Sequence, residues 1–120
     1  MPAIEDKPDE QLSHDDFVAE VKFDSSGLVA CVAQDATSNT VLMVAWMNEE
    51  ALRLTLNSGN VTYWSRSRGK LWRKGETSGH TQKLREALID CDGDTLLLKV
   101  DQTGPACHTG APNCFFRRAK

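Results

Sequence analysis

Between Ile89 and Phe116 the chain carries three of its four cysteines, Cys91, Cys107 and Cys114, together with three aspartates at alternate positions, Asp90, Asp92 and Asp94. The two sets suit different ions. Thiolate sulfur is a soft donor that selects zinc, which takes four ligands in a tetrahedron. Carboxylate oxygen is hard and suits magnesium or calcium. An extended segment turns the three aspartates to one side and Cys91 to the other, so one short stretch can serve two ions. Six residues of turn-forming sequence separate Cys107 from Cys114, and Cys91 lies across a strand from both. This is not the paired Cys-x-x-Cys spacing of a zinc finger, and three independent thiols remain the competing reading.

Three thiolates around zinc leave a fourth position, at which a bound water is acidified to a pKa near ~7. His108, next to Cys107, offers the opposite outcome, a closed structural site of three cysteines and one histidine. Ligand identity leaves both open. The run Asp90-Cys91-Asp92-Gly93-Asp94 matches the first five positions of a calcium-hand loop. The sixth position is Thr95 rather than Gly and the twelfth is Asp101 rather than Glu, so that loop fails. A solvated polar turn is the plain alternative for the carboxylates.

A second constellation is "VTYWSRSRGKLWRKGETSGHTQ", from Val61 to Gln82. The indoles of Trp64 and Trp72 are flat enough to stack on a nucleobase. Ser65, Arg66, Ser67 and Arg68, then Arg73, Lys74, Thr77 and Ser78, supply the hydroxyl and cationic groups that hold phosphate. From Ser65 to Arg85 there are seven Lys or Arg against the single acid Glu76, whereas residues 1 to 24 carry eight acids and two lysines. A basic patch on a chain of net charge −3 points to a compact anionic ligand rather than a long nucleic acid. A solvated basic face is the bland reading, and tryptophan in a strand is often core.

The elements that must position these groups are legible in outline. At 120 residues the chain is expected to be one domain, 17–120, behind a flexible acidic arm, 1–16. No apolar run approaches the ~18 residues of a membrane span, and the acidic start has no leader-like segment, so the cytoplasm is the expected compartment. In that reducing setting cysteines serve metals, catalysis or core, and Cys31 in "LVACVAQ" reads as core. "FVAEVKF" and "GLVACVAQD" read as strands, and "NTVLMVAWM" as a buried central one. Asn48 caps an amphipathic helix that stops at Gly59. "VTYWSRS" and "KLWRKG" form a hairpin, and "HTQKLREALIDC" fits helix or strand. "TLLLKVDQ" is a strand, "TGPACHTGAPNC" a loop and "FFRR" a closing strand. The class is α+β and strand-rich.

"SRSRGKLWRKGETSGHTQ", "DCDGDTLLLKVDQTGPACHTG", "CFFRR" and "AWMNEEAL" together resemble the phosphoribosyl-AMP cyclohydrolase family of histidine biosynthesis, over about Phe17 to Arg118. The resemblance is to the single-activity form, without a fused pyrophosphatase. It implies a barrel-like (pseudobarrel) β core capped by helices, in a homodimer. It implies zinc on Cys91, Cys107 and Cys114, one ion per subunit shared across the dimer, and magnesium on Asp90, Asp92 and Asp94. The implied reaction is hydrolytic opening of the N1–C6 bond of the adenine ring of 1-(5-phosphoribosyl)-AMP by a zinc-activated water. His80 and His108 are then the candidates for proton transfer, since imidazole titrates near working pH. Two rivals from other classes remain: a zinc-stabilised interaction module without catalysis, and a zinc nucleotide deaminase.

Overall fold

A computed structural model describes residues 10–120, and the first nine positions of the expected arm lie outside the described residues. Where a strand was expected over "FVAEVKF", the first four residues are helical and 21–23 have no regular structure. In helix α1 (His14–Glu20) the Ser13 hydroxyl accepts from the Asp16 backbone N–H at 3.1 Å, and Asp15 and Asp16 fill the first turn. Phe17, Val18 and Val21 are buried together, at a spacing that suits one helical face and not an alternating strand. The helix starts inside the segment expected to be a loose arm.

Strands β1 (Val29–Asp35) and β2 (Val41–Met47) follow, then helix α2 (Glu49–Ser58) and strands β3 (Thr62–Ser65), β4 (Lys70–Arg73), β5 (Gln82–Ile89) and β6 (Thr95–Gln102). Four strands form a mixed sheet in the order β2-β1-β6-β5, with β1 parallel to β6 and the other pairs antiparallel. β3 and β4 make a separate two-stranded ribbon. The α+β class holds, but the sheet is not a closed barrel: β2 and β5 are its two edge strands. The ribbon is joined to β5 just ahead of β3, by an isolated bridge between Asn60 and Lys83 and by the Val61 N–H donating to the Gln82 carbonyl at 3.0 Å. β2 is therefore an edge strand rather than a central one, which leaves Val41 and Val44 exposed.

The ambiguous segment is strand β5. Leu84, Ala87 and Ile89 face the core, and a register shift between Leu84 and Glu86 converts the two-residue alternation into one step of three. That step made the run look helical. At the other end, "FFRR" is not a strand: residues 115–120 have no regular structure and Phe115 and Phe116 are exposed.

The core joins α2, β3 and the sheet through Met47, Leu52, Val61, Tyr63, Leu96 and Leu98, all fully buried. Cys31 lies among them, its thiol pushed up by burial, as the core reading requires. Thr55, also fully buried, fastens α2 to β3. Its hydroxyl donates to the Ala51 carbonyl at 2.8 Å and accepts from the Thr62 backbone N–H at 3.0 Å. Among the described residues no helix is long and apolar enough to cross a membrane. Thr55→Val keeps the volume but strands a buried N–H. Urea unfolding should show a loss of about 1–3 kcal/mol.

Candidate active site

Two of the three cysteines meet in the last loop. Gly110 N–H donates to the Cys107 carbonyl at 3.0 Å, and Cys107 N–H donates to the Ala111 carbonyl at 3.2 Å, so the chain doubles back. Cys114 N–H then reaches the Leu42 carbonyl on β2 at 2.7 Å. The two thiols end side by side, close enough to shift each other's ionisation. The Thr109 hydroxyl donates to Cys107 Sγ at 3.0 Å and holds that thiol below its usual value, while burial and then Cys107 push Cys114 up. Two adjacent sulfurs of this kind are soft donors of the type that suits a transition-metal cation.

Lys74 faces this pair. It is buried, with no carboxylate partner among the described residues, and its ammonium lies 5.7 Å from the Trp72 ring centroid. Burial lowers its pKa, and the neighbouring Cys114 and Cys107 act in the opposite direction. Register on the β3–β4 ribbon pairs Tyr63 with Trp72 and Trp64 with Leu71, so the two tryptophans lie on opposite faces. They do not form one stacking platform: Trp72 stands near Tyr63 (5.6 Å between centroids) on the side of Lys74.

The ribbon's tip gathers Ser65, Ser67 and Arg68, with the Arg68 guanidinium 3.4 Å from the Ser65 hydroxyl. Arg66 lies over the Trp46 ring at 4.5 Å, so this cation already has an aromatic partner that the sequence reading passed over. Arg73, Thr77 and Ser78 are exposed. The Ser78 hydroxyl accepts from the His80 backbone N–H at 3.2 Å. The His80 ring packs onto Gly104, where a Cβ would fall 2.6 Å from the imidazole Cδ2 and where φ is +70°. Only glycine fits there. His108 is exposed beside Cys107.

The carboxylates converge, though not by strand alternation. Asp90 to Asp94 form a turn, and one oxygen from each of Asp90, Asp92 and Asp94 lies within 4.8 Å of the others. The turn is clamped from outside: Gly93, at φ +79°, accepts from the Lys22 backbone N–H at 2.8 Å, and a Cβ on it would fall 2.7 Å from the Glu20 carbonyl. For Asp90, desolvation is outweighed by the combined donors from Thr95, Asp94 and Asp92, which hold it below the usual range. Proton sharing with Asp92 and then Asp90 raises Asp94. Crowded like charges in hard oxygen donors fit a divalent cation.

Cys91 is exposed on this turn, at the other end of β6 from Cys107. Eight residues of strand separate the two ends by roughly 25 Å. Among the described residues no three sulfur ligands of one chain come together.

A family model described as Phosphoribosyl-AMP cyclohydrolase matches residues 43–116, a span that holds all three cysteines and all three aspartates. The chain belongs to the phosphoribosyl-AMP cyclohydrolase family. A phosphoribosyl-AMP cyclohydrolase of Micrococcus luteus is 65% identical over 87% of this chain and 82% of its own length. Relatives of the same name from Acidiphilium cryptum and Paracoccus denitrificans are 60% and 62% identical, over 84% and 82% of this chain and 87% and 81% of theirs.

The raised Asp94 gives a direct test of the carboxylate cluster. Its negative charge is resisted in the folded chain, so the repulsion is absent below the ordinary value of 3.8 and sets in as pH rises through the raised value. In ¹³C NMR of the metal-free chain Asp94 should titrate above 3.8 and Asp90 below it. Magnesium should abolish the upward shift of Asp94. Independent titration of the two, indifferent to magnesium, would separate the carboxylates.

Proposed function

We propose that the chain hydrolyses the N1–C6 bond of the adenine ring of 1-(5-phosphoribosyl)-AMP. The product is the formimino-linked phosphoribosyl imidazole carboxamide nucleotide, in a step of L-histidine biosynthesis. The observation that carries this reading is the family match across residues 43–116, a span that includes Cys91, Cys107, Cys114, Asp90, Asp92 and Asp94.

Cys107 and Cys114 would hold zinc together with Cys91 of a second subunit. Support for sharing is the strand-length separation of Cys91 from Cys107 within one chain. Zinc bound there supplies a Lewis acid and an acidified water. Asp90, Asp92 and Asp94 would hold magnesium, a counter-charge for a substrate phosphate.

The chain's own residues divide the remaining work. Lys74 and Trp72 border the thiol pair, where an electron-poor ring can rest over the indole. Ser65, Ser67, Arg68, Arg73, Thr77 and Ser78 offer the hydroxyl and cationic groups for the two phosphates, with Arg66 fixed beside Trp46. Trp64, on the far face of the ribbon, is left to contact a more distant part of the nucleotide. His108, exposed beside Cys107, takes a proton from the attacking water. His80, held against Gly104, is the second candidate to return one to N1. Water adds to C6, the C6–N1 bond breaks, and C6 keeps its amino group as a carboxamide. N1 parts from C6 but stays bonded to C2, as the formimino nitrogen that carries the ribosyl phosphate, so no nitrogen is lost.

That balance separates the rivals. A deaminase releases ammonia, an interaction module leaves the nucleotide intact, and ring opening changes the ultraviolet spectrum without ammonia. The purified chain with zinc and magnesium should give the third result. Replacing Cys91, Cys107 and Cys114 together by Ser should lower turnover by at least about a hundredfold. Full-rate turnover by that variant would remove the thiol site from the reaction.

A further inference from the structure

Behind the thiol pair runs a chain of polar contacts, buried at one end, whose direction is fixed. The Tyr63 hydroxyl donates to Gln82 Oε1 at 2.6 Å. Gln82 Nε2 donates to Gln102 Oε1 at 2.9 Å and to Met43 Sδ at 3.4 Å. Gln102 Nε2 donates to the Thr103 carbonyl at 3.1 Å and the His80 carbonyl at 3.4 Å. Tyr63 and Gln82 are fully buried. The final acceptors are carbonyls, which cannot donate, so Gln102 must turn its nitrogen toward them and its oxygen toward Gln82. Gln82 must then turn its nitrogen to Gln102, and Tyr63 must donate. Neither amide can flip without leaving a buried group unpaired.

The relay begins and ends at the site. Tyr63 is the core-side neighbour of Trp72, on whose ring Lys74 rests. His80 and Thr103 begin the segments that the far end ties down. Thr103 N–H donates to the Thr81 carbonyl at 2.9 Å, and Gly104 then lies under the His80 ring, three residues before Cys107. A fully paired chain of this kind, buried at Tyr63 and Gln82 and half-buried at Gln102, restrains what it joins, and here it spans from the face that carries Lys74 to the loop that carries Cys107.

We infer that Gln82 and Gln102 are positioning residues, which hold the Cys107 loop and the His80 ring in fixed relation to Trp72 and Lys74. The inference rests on the proposed reading of the thiol pair as the reaction site.

Tyr63→Phe removes one oxygen at the start of the chain and frees the Gln82 amide, while Gln102→Leu cuts its far end. In the metal-free full chain, amide hydrogen exchange should speed up at Thr103 about tenfold more than at Val32 on β1. With substrate and both metals, kcat should fall about tenfold and KM should change less than twofold. Equal acceleration at Thr103 and Val32, or none, with kcat unchanged, would reduce the network to ordinary core and overturn the inference. Should Gln102→Leu not fold, Tyr63→Phe decides alone. If the wild-type chain does not open the ring, the proposed function fails, while the exchange comparison still tests the relay.

Discussion

The length of one strand governs this molecule. β6 follows directly on the carboxylate turn and leads to the Cys107 loop, and a pleated strand cannot be shortened to bring the two together. Its parallel pairing with β1 and antiparallel pairing with β5 lock it in the sheet interior. Hard carboxylates and soft thiols are thereby held apart, each in its own electrostatic setting. The oxygen cluster is exposed and crowded with like charge. The sulfur pair sits against a buried lysine and an indole.

The surroundings of each ligand set are built from backbone as much as from side chains. The carboxylate turn is clamped because Gly93 lets the Glu20–Lys22 backbone approach, which gives the segment after α1 a purpose beyond covering the core. The thiol loop folds back on its own amides and is anchored to β2 through Cys114. Behind it, Gln82 and Gln102 use both amide protons each, so the interior polar groups specify one arrangement instead of several.

Much of this was legible in the sequence. Asn48 and Gly59 marked α2, the alternation in "TLLLKVDQ" marked β6, and the Gly and Pro around Cys107 marked a loop. What misled the reading was local. α1 is short, and its apolar positions also fit a brief strand until the Ser13 cap is taken into account. The bulge in β5 hid its period. The three aspartates were expected to share a side by strand alternation, and they converge through a turn instead. Tyr63, Gln82, Gln102 and Trp46 lie inside the quoted motifs but were given no role there: their roles arise from contacts between distant segments, which spacing alone does not encode. Thr109 was findable, since a hydroxyl two residues after a loop cysteine is well placed to donate back to its sulfur.

The central claim is that sulfur from both ends of β6 gathers on one zinc ion, with two copies of the chain supplying it. Zinc K-edge X-ray absorption on the loaded protein tests this most directly. The account predicts three sulfur scatterers at about 2.3 Å with one lighter neighbour, falling to two sulfurs in Cys91→Ser. A zinc shell without sulfur, or one that Cys91→Ser leaves unchanged, would contradict it.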